Sequence, residues 1–286
     1  VYLVDRTIPM LPEKLSNGVC SLRPNEEKLT FSAVFIIDKN AQIKDQWIGK
    51  TVINSDRRFT YEEAQEVIET GQGDHAKELK ILNDLAKKLK ENRFKNGAIN
   101  FETEEVKFRL DEKGKPIDVY VKVRKDAHKL IEEFMLLANK KVAEFVYKIN
   151  EKDQKHPFVY RVHDAPNEDK ISEFSKFLKR FNLSINAANQ KTLASSFNDL
   201  LKEIEGKPQQ NILQSMAIRT MAKAFYTSKK SGHYGLAFQY YSHFTSPIRR
   251  YPDVMAHRLL FDYLNDHKNP DIKNLEERCK HSSAME

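Results

Sequence analysis

Apolar residues alternate with polar ones along 29–38 and again along 43–53, then recur at helical spacing from Thr60 onward. A period of two lines one face of a strand and a period near 3.6 lines one face of a helix, so a segment written in one pattern does not settle in the other backbone. The chain is therefore expected to adopt a mixed α/β (α+β) fold. Asp38-Lys39-Asn40-Ala41-Gln42, polar and placed between the two alternating runs, predicts a hairpin turn. Thr60 with Glu63 predicts a capping box that opens a helix lined by Ala64, Val67 and Ile68.

Helical spacing returns over 75–94, closed by Lys95-Asn96-Gly97, and over 126–150, where Asp126 is a plausible cap. Strands are expected at 98–101, 106–110, 117–123 and 158–163. Further helices are expected at 168–182, 190–205, 209–228 and 252–265, with another beginning near Asn274. Pro9 and Pro12, three apart, exclude a helix interior at the start of the chain. Residues 232–244, rich in glycine and aromatics, read as loop or short strand. No internal repeat or low-complexity linker interrupts this pattern, so residues 1–286 read as one domain.

The 286 residues carry 48 basic and 41 acidic side chains, a net charge of +7 that permits a polyanionic partner without demanding one. Two cysteines, Cys20 and Cys279, are too few for a disulfide framework and suit a reducing compartment. No apolar run approaches the roughly 18 residues of a membrane span, and Val1-Tyr2-Leu3-Val4-Asp5 is no signal peptide. A cytoplasmic protein with no membrane partner is the expectation. The chain starts without methionine and stops within a helical pattern, so a fold truncated at both ends is expected.

The stretch from His243 to Asp253 carries the most chemistry. Pro247 and Pro252 disfavour helical geometry at Ser246 and Tyr251, which makes the intervening residues a stiff turn feeding a helix. Arg249 and Arg250 stand close to the positive end of that helix, where cations are unfavourable. A phosphate would resolve the conflict, since guanidinium and free backbone N–H groups converge on anions; a surface carboxylate for each arginine would also resolve it. Upstream, Tyr234, Phe238, Tyr240 and Tyr241 offer rings on which unpaired bases stack. Leu236, Phe238 and Tyr240 equally suit the buried face of a strand. His233 and His243 suit acid–base chemistry, metal ligation or a structural role. Lys77, Lys80, Lys87, Lys88 and Lys90 spread around one helix as a solvated face.

The run from His243 to Asp253 resembles the signature near the end of the RNB catalytic domain of the ribonuclease II and ribonuclease R family, and its details are closer to ribonuclease R. The stretches 8–12, 15–22, 131–139 and 232–237 are similar to further blocks of that family, in family order, so the resemblance covers essentially the whole chain. It implies a partial RNB-type catalytic domain, with a twisted sheet and several packed helices, and without the family's flanking oligonucleotide-binding domains. It also implies a parent enzyme that hydrolyses single-stranded RNA processively from the 3′ end to nucleoside 5′-monophosphates.

By the same resemblance, Arg249 contacts the scissile phosphate, with Arg250 in support. Tyr2 stacks on the 3′-terminal base, and Phe101 clamps the terminal bases from the other side. Glu132, with Glu133 as its neighbour, lies near the bound nucleotides. The family's magnesium ions are held by an aspartate cluster some tens of residues upstream of the block that begins here at Ile8. That cluster is therefore absent from this chain, which has no run of three or four closely spaced aspartates. The chain alone is expected to be inactive. A non-catalytic RNA-binding module of RNB type is the alternative. The family's later glutamate, which helps read the ribose, falls beyond the chain's end.

Overall fold

A computed structural model describes residues 2–101, 105–150, 156–265, 267 and 270–286. Its architecture is mixed α/β, with three separate two-stranded antiparallel sheets and eight α-helices among the described residues. The chain forms two compact units: Val1–Leu89, Thr103–Val142 and His243–Asn269 make the first, and Lys90–Glu102, Ala143–Ser242 and Pro270–Glu286 the second.

In the first unit, β1 (Glu27–Ile37) and β2 (Ile43–Asn54) form the expected hairpin. The Asp38 carboxylate closes its turn by accepting from the N–H groups of Asn40 and Gln42, both at 2.9 Å. Helix α1 (Tyr61–Thr70) opens on the complete Thr60–Glu63 capping box and ends at Gly71, whose φ of 69° is the left-handed geometry that glycine takes without strain. Helices α2 (Ala76–Lys95) and α3 (Asp126–Asn150) begin and end close to the sequence expectation. Strands β3 (Glu105–Leu110) and β4 (Pro116–Lys122) pair around a turn in which Asp111 accepts from Lys113 and Lys115. Gln65 of α1 ties that helix to α3 by accepting from the Ala127 N–H at 2.9 Å. Helix α7 (Tyr251–Leu264) completes the unit.

The second unit is held by the apolar faces of α4 (Glu168–Leu178), α5 (Gln190–Ile204) and α6 (Gln210–Thr220), which bury Phe174, Leu178, Phe197, Leu200, Ile204 and Leu213 in one cluster. Burial of one such side chain contributes about 1.5–3 kcal/mol. The short pair β5 (Tyr160–Val162) and β6 (Phe225–Thr227) lies beside α8 (Ile272–Ala284). There Ser283 accepts from the Tyr226 N–H, and Glu276 accepts from Thr227 and Ser228.

Three expectations are corrected. Residues 98–101 form no strand: the Asn198 amide pairs with Ala98 O and Asn100 N, and the Ile99 N–H donates to Gly235 O, so no ladder partner is needed. The helix expected over 209–228 stops at Thr220, where Met221 turns extended and the chain goes on to build β6. The strand expected over 158–163 is confined to Tyr160–Val162, since the Val159 carbonyl is taken by the Ser242 hydroxyl at 2.6 Å. Among the described residues no helix is long and apolar enough to cross a membrane.

Candidate nucleic-acid interface

The run from His243 to Asp253 lies in the first unit and folds as a tight turn leading into α7. The Ser246 carbonyl accepts from both Arg249 N and Arg250 N, at 3.2 and 3.1 Å, which closes the loop around Pro247 and Ile248. Two buried side chains and one partly buried one then fasten it. Asn139 of α3, 3% exposed, accepts from the N–H groups of Phe244 and Thr245 at 2.9 and 3.2 Å. Asp253 of α7, fully buried, accepts from the Ser246 N–H at 2.7 Å. His257 donates from Nε2 to the Phe244 carbonyl at 2.8 Å. Burial holds the His257 imidazole below its ordinary pKa, so it is the neutral ring with its proton on Nε2. That ring stacks on Phe244 at 4.3 Å, and Phe31 of β1 packs against both.

The two arginines have different surroundings. Arg250 is bidentate on Asp253, Nε to Oδ2 at 2.8 Å and Nη2 to Oδ1 at 2.9 Å. This is the fork geometry that neutralises a buried carboxylate best. The conflict with the helix dipole is thus settled inside the protein for Arg250, by a buried carboxylate rather than a surface one. The Arg249 side chain is exposed, and among the described residues no carboxylate or other acceptor meets it. A rigid backbone therefore presents one uncompensated guanidinium to solvent.

The other residues singled out in the sequence are distributed as follows. Tyr2 is 70% exposed in the first unit, on a short bridge to Thr7. Glu132 of α3, also in the first unit, pairs with Arg124. Its neighbour Glu133 is buried. Phe101 belongs to the second unit, where it packs edge-on against Phe197 at 6.1 Å at the margin of the helical core. Residues 232–241 form no strand: a single 3-10 turn spans Tyr234–Leu236, and Ala237 takes a left-handed φ of 54°. His233 is pushed down to about 3, chiefly by burial and further by His163 beside it. It is therefore neutral at ordinary pH and is not a proton-transfer group there.

Asn139, Asp253 and His257 are the working anchors, and sequence reasoning assigned none of them that task. One signal was available: Asn139 is polar on the buried stripe of α3 that continues through Val142 and Val146. A buried amide on such a stripe calls for backbone partners.

The magnesium ions implied by the sequence resemblance do not fit the described residues. Among the described residues no three His, Cys, Asp or Glu side chains converge as a ligand set. The buried carboxylate of the turn, Asp253, is already engaged by Arg250 and Ser246.

A family model described as RNB domain matches residues 1–266. Ribonuclease R of Aquifex aeolicus is 36% identical over 297 residues, covering 100% of this chain and 41% of that protein. Mycoplasma genitalium RNase R, solved in complex with ribose methylated single-stranded RNA, has a TM-score of 0.85 at 27% identity, over 96% of this chain and 44% of that one. Yeast Ssd1, a pseudonuclease, has a TM-score of 0.78 at 24% identity, over 99% of this chain and 35% of that one, a likeness of fold alone. The chain thus spans less than half the length of these relatives.

Proposed function

The chain belongs to the RNB domain family, and on that premise we propose that it is the RNA-gripping part of a 3′→5′ exoribonuclease that degrades single-stranded RNA processively to nucleoside 5′-monophosphates. The observation that carries this reading is Arg249, an exposed guanidinium without a counter-charge among the described residues, on a turn held by Asn139, Asp253 and His257. A planar cation fixed in this way matches a phosphodiester in two hydrogen bonds and gains further as negative charge builds on the oxygens during hydrolysis. Tyr2, exposed on the same unit, is the stacking group for the 3′-terminal base, and Phe101, at the margin of the second unit's core, is a separate aromatic assigned to the RNA strand. Glu132 contacts the bound nucleotides. Arg250 supports substrate binding indirectly, by keeping Asp253 neutralised. No step through magnesium is assigned to the residues described.

The second reading is an RNA-binding module without catalysis. It is favoured by the lack of a convergent metal-ligand set among the described residues. Both readings require single-stranded RNA as partner, and one experiment tests that requirement. Binding of a single-stranded oligonucleotide to this chain is expected to weaken linearly on a log–log plot against salt, with Arg249→Ala flattening the slope by about 0.7, the value of one released counterion. Binding that ignores salt, or a slope unchanged in the variant, refutes the reading. Mononucleotide release by the longer protein with magnesium then separates enzyme from module.

A further inference from the structure

The second unit holds a cleft of about 680 Å³ whose walls combine two lysines, two aromatic rings and a pair of histidines. Its volume falls within the range of small-ligand sites, roughly 300–1,000 Å³. Lys191, on the first turn of α5, lays its stem against Gly97, with Cγ 3.9 Å from where a Cβ of residue 97 would stand. Lys230 is held with Nζ 4.4 Å from the ring centre of Tyr147 and 4.6 Å from that of Tyr240, so its ammonium is fixed in place by two aromatic faces. Among the described residues neither lysine meets a carboxylate. The one acidic side chain on the wall is the exposed Asp164, which leaves the cations in excess.

The remaining walls are polar but uncharged. His163 donates from Nε2 to Ala222 O at 2.9 Å and accepts from the Gly235 N–H on Nδ1 at 3.0 Å, so both nitrogens are used. His233 accepts from the Leu236 N–H on Nδ1, which leaves its proton on Nε2. Tyr234 donates its hydroxyl to Gln190 O at 3.1 Å, and burial pushes that hydroxyl up to about 12. The histidines and Tyr234 thereby fix the shape of the 232–238 loop, and the lysines supply the positive charge.

The geometry points to a second binding site for a nucleotide unit in this cleft, with the phosphate on Lys191 and Lys230 and the base against Tyr234 and Phe238. A lone phosphate would leave the aromatic walls and most of the volume unused, and an apolar ligand would leave Lys191 without a counter-charge among the described residues. The choice of a nucleotide over other aromatic phosphates rests on the ribonuclease reading above. The unit has two sources, a free mononucleotide or one residue of a strand.

Calorimetric titration of the whole chain with adenosine 5′-monophosphate, inorganic phosphate, adenosine and an unphosphorylated adenosine trinucleotide tests the assignment. The mononucleotide, the trinucleotide or both are expected to bind at least tenfold more tightly than phosphate or adenosine. Lys191→Ala and Lys230→Ala, both at exposed positions and checked for folding by thermal melting, are each expected to weaken that binding fivefold or more. Lysine-dependent binding of the mononucleotide assigns the site to free product, and lysine-dependent binding of the trinucleotide alone assigns it to a strand. Arg249→Ala is expected to leave cleft binding unchanged. No binding by either nucleotide probe, binding indifferent to both lysines, or binding lost with Arg249 overturns the proposal. A cleft that binds while Arg249→Ala leaves the salt slope of RNA binding untouched refutes instead the reading of the arginine turn.

Discussion

Arg249 and Arg250 are adjacent and identical in chemistry, yet one carboxylate separates their tasks. Asp253 accepts both prongs of Arg250 and the Ser246 N–H from a fully buried position. Removing one partner of such a buried pair strands the other, at a cost of about 3–5 kcal/mol. Arg250→Ala and Asp253→Asn are each expected to lower the urea midpoint of this chain by an equivalent of about 3 kcal/mol. A change below about 0.5 kcal/mol in both would show that the pair does not hold the turn. Arg249→Ala removes no side-chain hydrogen bond or ion pair among the described residues and is expected to leave stability unchanged. In the longer protein it is expected to lower turnover far more than RNA affinity, because a group that meets growing charge acts mainly in the transition state. Equal losses in turnover and affinity would reduce Arg249 to an anchor.

Elements were predicted well where the signal was local. The Thr60–Glu63 box, the Asp38 and Asp111 turns and the proline-framed start of α7 are all encoded within a few residues, and each folds as its residues imply. The failures have distant causes. Residues 98–101 satisfy their backbone through Asn198, about a hundred positions away, and the end of α6 is set by the demand of β5 for a partner strand. The loop over 232–238 has a further consequence. His233 in that loop and His163 beside it are held below their ordinary pKa by burial, and in the unfolded chain they titrate near 6.5. A folded pKa below the unfolded one means that the unfolded state binds more protons, so their contribution is complete above about 6.5 and is lost as pH falls toward the folded values. Folding stability measured in urea is expected to drop as pH falls from 6.5 to 4.5, by about 1.4 kcal/mol per pH unit for His233, with His163 contributing in the same direction. His233→Gln is expected to flatten that slope. An unchanged slope in the variant would mean that His233 is protonated in the folded protein.

At the scale of the whole chain, the proposed RNA contact and the proposed hydrolysis separate. The positive charge, the exposed Arg249 and the exposed Tyr2 are the groups assigned to RNA in that proposal, whereas the described residues supply no convergent ligand set for a metal. Incubation of this chain with RNA and magnesium is expected to release no mononucleotide. Release at a rate abolished by Arg249→Ala would place the missing ligands within the chain after all. The sequence by itself determined the mixed α/β class, the family, the positions of most elements and the stiff turn, because periodicity, capping and proline geometry act over a few neighbouring residues. Only the tertiary structure decided that Arg250 is spent on a buried carboxylate, that Asn139 grips a turn 105 residues away, and that His233 is a neutral strut. Burial and partner choice are set by packing between distant segments, and no local pattern records which of two like side chains will find a counter-charge.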